Sequence, residues 1–415
     1  TWGLGIEDDL ATVTKQFLVK TLEYWRTWVK HCSIPSRFQK ETIRSALALK
    51  LHCYEDTGAI LAALTSSLPE ELGSGRNWDY RFCWLRDSAF VLSAFHNLGH
   101  FEEMEGFLKF LFNIGKKYEK FHEQISPVYS LDLELPLPEH EHVNWQGYLE
   151  SKPVRSNNQA AEHVQNDVYG ELVLALAPIF FDQRFQHLRT KEYEALLENL
   201  ANLCIKNISL PDAGLWEVRN GWQEHSFSNL MSWAGIERII RIREQGFLKH
   251  LELADLKLAK KRAEDAIFKA VKEGSVRNGP NDETMDAALL LLPILRFPDS
   301  SLCKETVLQI YRQLKLENSP SFLYRYLRKD DFGVPKSAFL LCSFWLVQAL
   351  AKVGEVALAT EVIDESLKAM NRLGLFSEHF VPEKNQQCGN YPQAYSHVGL
   401  INAAFAVSPP WGDVL

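Results

Sequence analysis

Two glutamates stand in company that makes a carboxylate expensive. Glu217 sits in the segment Leu210-Pro211-Asp212-Ala213-Gly214-Leu215-Trp216-Glu217-Val218-Arg219, directly after Leu215 and Trp216. Glu378 sits in Gly374-Leu375-Phe376-Ser377-Glu378-His379-Phe380-Val381-Pro382-Glu383, again among apolar residues. Burying an ionisable group there costs free energy unless it has a partner or a task. Apolar surroundings also raise a carboxyl pKa, the requirement for a general acid near neutral pH. Two such carboxyls flanking a cleft are the apparatus for cleaving a glycosidic bond. Each has a plainer reading. Arg219 could hold Glu217 as an ordinary ion pair, and Glu383, after Pro382, is the alternative acid on the second segment.

A third segment carries binding chemistry. Asn77-Trp78-Asp79-Tyr80-Arg81-Phe82-Cys83-Trp84-Leu85-Arg86-Asp87-Ser88 packs aromatic rings among Arg and Asp. Rings stack on the apolar face of a sugar, and charged groups bind its hydroxyls in pairs. Asp87 could instead cap the helix that follows, but that leaves two tryptophans on an exposed loop unexplained. His140 and His142 alternate with Glu139 and Glu141, but the spacing matches no metal-ligand pattern and reads as a solvated loop. No HExxH, GxSxG, phosphate-binding loop or dinucleotide fingerprint occurs. Neither a metal nor an organic cofactor is expected.

These segments need a scaffold that brings them together. The hydrophobic periodicity predicts thirteen helical segments, including roughly 10–31, 86–99, 157–180, 284–294, 337–353 and 391–407. The apolar spacings Ile43, Leu47, Leu51 and Leu196, Leu200, Leu203 are those of amphipathic helices. Strand patterns are short, such as Pro127–Leu133. Short and long connections alternate. Helices joined by short loops pack as antiparallel neighbours, so every long loop reaches the same end of the molecule. Six hairpins in series predict an all-α, closed double ring of helices, an (α/α)6 barrel, as one domain over residues 1–415. An open helical solenoid is the alternative, although the hairpins show little self-similarity. The three chemistry-bearing segments all fall on long connections, where binding and catalytic groups concentrate.

Composition narrows the function. With 45 Lys+Arg against 53 Asp+Glu, the net charge of −8 gives no basic footprint for nucleic acid. The longest apolar run, Ala287–Leu295, contains Pro293 and is too short to cross a membrane. Thr1–Leu10 is polar and shows no secretory leader. Secretion is expected only if the substrate is a polymer. Seven scattered cysteines without a CxxC pattern argue against a zinc ribbon and a dense disulfide framework.

The segment Arg76–Ser88 resembles the signature of glycoside hydrolase family 15, which comprises glucoamylases, glucodextranases and some trehalases. Thr57-Gly58-Ala59, Ser66–Glu70, Pro153-Val154-Arg155, Asp167-Val168-Tyr169-Gly170, Gly214–Arg219, Gly374–Glu378 and Gly389–His397 are similar to further family segments, in family order. The resemblance implies the same (α/α)6 barrel and an inverting, exo-acting α-glucosidase that releases β-glucose from α-glucan ends. It assigns Glu217 as general acid and Glu378 as general base. Arg86 and Asp87 would grip the terminal glucose, and Tyr80, Trp84, Leu215 and Trp216 would line its pocket. Arg325 resembles a substrate-binding arginine of the family. Inversion requires carboxyls roughly 6.5–9.5 Å apart, leaving room for a water. Trehalose and isomaltose-type linkages are alternative substrates, and a non-catalytic carbohydrate-binding relic is the alternative of another class. Bacterial members often carry an N-terminal β-sandwich domain, and the chain as given is expected to hold none.

Overall fold

The computed structural model describes Gly5 and residues 9–415; most of the Thr1–Leu10 segment lies outside the described residues. The chain runs through α1 (Leu10–Lys30), α2 (Gln39–His52), α3 (Leu85–Leu98), α4 (Phe101–Lys117), α5 (Asp167–Leu176) and the single turn α6 (Pro178–Phe181). It continues through α7 (Lys191–Lys206), α8 (Ser226–Glu244), α9 (Leu253–Lys269), the short α10 (Leu291–Ile294) and α11 (Ser300–Leu314). It ends with α12 (Leu340–Lys352), α13 (Val356–Ser366) and α14 (Ala394–Val407).

Six of these make an inner ring. α3 packs on α5, α5 on α8, α8 on the turn preceding α10, α10 on α12, α12 on α14, and α14 returns to α3. That last contact closes the ring and excludes an open solenoid. α2, α4, α7, α9, α11 and α13 lie outside, each against the inner helices beside it. The sequence separates the two rings. Inner helices touch neighbours all round and are apolar all round: every residue of α12 from Leu340 to Leu350 is buried. Outer helices have one apolar stripe, as in α7, where Leu196, Leu200 and Leu203 face inward. Burying each such side chain stabilises the fold by about 1.5–3 kcal/mol. Inner helices also approach closely. A Cβ on Gly170 of α5 would stand 2.1 Å from the Met231 carbonyl oxygen of α8, so only glycine permits this crossing.

The outcome corrects several expectations. α1 belongs to neither ring. Its anchor is Trp28, stacked on His100 at 3.8 Å and donating through Nε1 to Glu103 at 2.8 Å. The helix expected over 157–180 begins only at Asp167, because the chain first crosses the rim as the strand Val154–Ser156 and a 3-10 turn at Gln159–Glu162. The helix expected over 284–294 is a 3-10 turn, Ala287–Leu290, leading into α10. Pro293 has no N–H for the Leu289 carbonyl and its ring clashes with that carbonyl, which shortens the helix. All seven cysteines are free thiols. Among the described residues, no helix is long and apolar enough to cross a membrane.

Candidate active site

Each long connection leads into the N-terminal end of an inner helix, so the long loops gather on one rim. Two small ladders stiffen them. Cys83–Trp84 pairs antiparallel with Val128–Tyr129, immediately before α3. His379–Val381 lies between Ala338–Phe339 and Gln386–Cys388, with His379 opposite both Phe339 and Cys388. The first ladder aims Arg86 and Asp87 inward from the first turn of α3; the second starts one residue after Glu378.

One hollow on this rim is lined by all the residues singled out above: Tyr80, Trp84, Arg86, Asp87, Leu215, Trp216, Glu217, Arg325 and Glu378. Ala62, Phe339, Gln393 and Tyr395 complete it. A second hollow adjoins it, sharing Tyr80, Trp216, Glu217 and Arg325, and extends to Trp78, Asn158, His163, Arg219, Asp331 and Phe332.

Glu217 lies where the two hollows meet. Its Oε1 accepts from Trp84 Nε1 at 2.7 Å, Arg86 Nη2 at 3.0 Å and Gln165 Nε2 at 3.2 Å. No donor reaches its Oε2 among the described residues. Of the two surrounds considered for this carboxyl, apolar neighbours or an ion pair with Arg219, the fold provides neither alone, because convergence of remote loops brings three donors. Its backbone is left-handed, φ 60°, a strained state for a residue with a side chain and one that clusters at functional sites. Arg219 does not pair with it; Arg219 Nη2 donates to Glu139 at 2.8 Å.

Glu378 is 2% exposed and Glu383 is exposed, so the second segment buries the former. Tyr80 Oη donates to Glu378 Oε1 at 2.9 Å. Tyr80 and Trp84 therefore each hold one of the two carboxyls, with ring centroids 5.2 Å apart. Burial, and next the charge of Glu70, push the Glu378 carboxyl up to about 8. Glu70 itself is held well below the usual carboxylate range, where Arg325, His379 and Arg76 outweigh its desolvation. Glu70, Glu378 and His379 bring three potential metal-ligand atoms within 4.8 Å of one another. Arg325 Nη1 already donates to Glu70 at 3.0 Å, so the trio reads as part of an ion-pair network.

The remaining groups shape the hollow. Arg86 is pinned by Tyr395 Oη (2.9 Å from Nε), Asp167 (3.2 Å from Nη1) and Gln165. Asp87 does not cap α3, whose cap position is Trp84. Burial pushes its carboxyl up to about 7 against the pull of Arg86. Trp84 is buried rather than exposed. Trp216 Nε1 donates to Asp286 at 3.0 Å, and its ring meets Phe339 edge-on at 5.4 Å.

Sequence reasoning missed Gln165, Tyr395, Glu70 and His163 as site residues. Tyr395 and Glu70 lie inside quoted segments, but nothing local marks them as lining a pocket. His163 falls in a stretch expected to be helical. It is 5% exposed, its ring nitrogens have no hydrogen-bond partner, and burial lowers its pKa, leaving a neutral imidazole at the second hollow.

Comparison with known proteins follows the same lines. The model of glycosyl hydrolases family 15 matches residues 37–373. The chain belongs to that family. The family-15 match includes Glu217 and ends just before Glu378. A trehalase from Mycolicibacterium smegmatis is 33% identical over 94% of this chain and 58% of its own length. One from Thermoplasma volcanium is 32% identical over 93% of this chain and 61% of its own. The chain thus spans less than two thirds of these curated relatives. A bacterial glucoamylase solved with acarbose superposes at a TM-score of 0.65, with 16% identity, over 96% of this chain and 60% of that one. At that identity the likeness establishes the (α/α)6 fold of the family-15 chain.

The site makes one glycine indispensable. Gly389 has φ 75°, and a Cβ there would stand 2.7 Å from Glu378 Oε2. Gly389→Ala is expected to shift the carboxyl and lower kcat by about a hundredfold, since misplacement of about 1 Å costs that much. The check is steady-state kinetics beside a circular dichroism spectrum. A folded variant with unchanged kcat contradicts it.

Proposed function

We propose that this chain is an inverting α-glucosidase that takes one glucosyl unit in the first hollow and one sugar in the second, with α,α-trehalose as its best-supported substrate. The observation that carries the reading is the pair of carboxyls, Glu217 and Glu378, lining one hollow beside Arg86 and Asp87. The second hollow and relatives named trehalase support a disaccharide. In the reaction, Glu217 gives the proton on its free oxygen to the glycosidic oxygen as the C1–O bond breaks. A water held by Glu378 attacks C1 from the opposite face and passes its proton to that carboxylate, leaving β-glucose and the departing sugar. Arg86 and Asp87 bind hydroxyls of the glucosyl unit, and its ring rests against Trp84 and Trp216. Arg325 acts through Glu70, which it neutralises. Separate incubation with trehalose, maltooligosaccharides and isomaltose, with the anomer read by NMR, tests this. One β-glucose and one α-glucose per trehalose are expected, because the departing unit keeps its α configuration. Faster cleavage of maltooligosaccharides points to the glucoamylase type, and α-glucose as the sole first product overturns inversion.

The base must be ionised to work. With Glu378 raised to about 8, kcat/KM should climb across pH 6–8 rather than level off near 5. Glu70→Gln removes the neighbouring negative charge and frees Arg325 to face Glu378. Both effects lower the Glu378 pKa, so the acid limb should move to lower pH. A limb that stays put in this variant contradicts the assignment.

A further inference from the structure

A further hollow lies away from the loop rim. It opens at the opposite end of the barrel, holds about 660 Å³, and is walled mainly by the C-terminal halves of the inner helices. It shares no lining residue with the two hollows above. A layer of rings divides them. Phe90 and Trp345 face the lower chamber, 5.6 Å apart, and pack at 5.9 Å on Tyr395 and 6.5 Å on Trp216, which line the upper one.

Its walls are largely apolar, with Leu174, Met231 and Leu291 among them. Ser93, His96, Asn97, Gln348, Lys352 and Asn402 also line it, and Glu171 is the one carboxylic acid among its lining residues. This residue of α5 is 2% exposed and lines the chamber; no N–H or alcohol donor reaches either of its oxygens, and the Asp167 carboxyl shares a hydrogen bond with it. Around it stand Asp167 on its own helix, Arg86 and Asp87 from α3, and Tyr395 from α14. Arg86 is engaged by Asp167 and Glu217, so Glu171 has no cation of its own. The helix ends around the mouth add partial negative charge. His96 and Lys352 are the cationic groups lining the chamber.

We infer that this chamber binds an organic ammonium ion with an apolar body, its N–H groups on the Glu171 carboxyl and its hydrocarbon against the ring layer. A buried carboxyl whose partner is another acid is poorly satisfied, an ammonium supplies donors and charge together, and aromatic faces favour a cation. The volume is that of a small-molecule site. The inference needs no assumption about the reaction on the other rim. Burial and Asp167 hold Glu171 well above the usual carboxylate range, so the free protein carries it protonated. On binding, the Glu171 O–H bond breaks, the proton passes to buffer, and the ammonium keeps its own protons.

Calorimetric titration of the whole chain with 2-phenylethylammonium, repeated in buffers of different ionisation enthalpy, tests this. Binding is expected with release of about one proton, at least tenfold tighter than for the neutral 2-phenylethanol. Glu171→Gln should weaken the ammonium at least tenfold. Ala175→Trp, which keeps the carboxyl and takes up part of the chamber, should weaken binding at least tenfold, and it decides the matter should the first variant fail to fold. Saturating glucose should leave the affinity unchanged. Equal binding of amine and alcohol, indifference to either substitution, or displacement by glucose overturns the proposal.

Discussion

Glu217→Gln is expected to lower kcat on trehalose by a thousandfold or more while KM changes little. The variant keeps an amide oxygen for Trp84 Nε1 and Arg86 Nη2, which donate to Oε1 in the wild type. It loses only the proton carried on the other atom. Positioned proton donation contributes about 10²–10⁴-fold, and a group acting only in the transition state lowers kcat without loosening the substrate. A second substrate separates this role from collapse of the site. α-Glucosyl fluoride needs little protonation of its leaving group, so the variant should retain far more of its activity there. Equal loss on both substrates would show that the substitution deforms the pocket, and unchanged turnover on trehalose would remove Glu217 from the mechanism.

Glu378→Gln should abolish turnover on both substrates, because water activation is needed whatever departs. It should also alter stability with a definite sign. The folded carboxyl is raised from 4.5 to about 8 by burial and by Glu70. Between those values the native state holds a proton that the unfolded chain releases. The stabilisation is therefore complete below about pH 4.5 and is lost as pH rises through 8. Glutamine cannot ionise, so the variant should gain on the wild type from pH 5 to pH 9, by at most about 5 kcal/mol. Denaturant midpoints of both proteins at the two pH values check this. A pH-independent difference contradicts the raised ionisation.

How far the site could be read from the chain depended on whether its chemistry was local. Tyr80, Trp84, Arg86 and Asp87 announce themselves because rings and charges crowd into one short segment. Leu215 and Trp216 sit beside Glu217 for the same reason. The alternation of short and long connections carried the ring, since it requires only that hairpins be antiparallel. What escaped was whatever the ring itself creates. Gln165 and Arg86 meet Glu217 only once α3, α5 and the 207–225 connection share a rim. Glu70 and Glu378 meet only after α14 has closed on α3. Helix starts were placed too early at 157 and 284 because apolar periodicity continues through segments that the rim holds extended. The solitary helix α1 resembled a ring member because periodicity reports one wet face and one dry face, not what covers the dry one.

The closing contact between α14 and α3 has a bearing on how the protein is made. Glu217 leaves the ribosome with Arg86 and Asp87 already synthesised. Glu378 emerges later, and the helix that seals its loop later still. A nascent chain stalled before α14 would display the groups proposed to grip the sugar and donate the proton, yet lack a completed pocket for water. Hydrolytic competence should therefore appear abruptly, once α14 has emerged and packed.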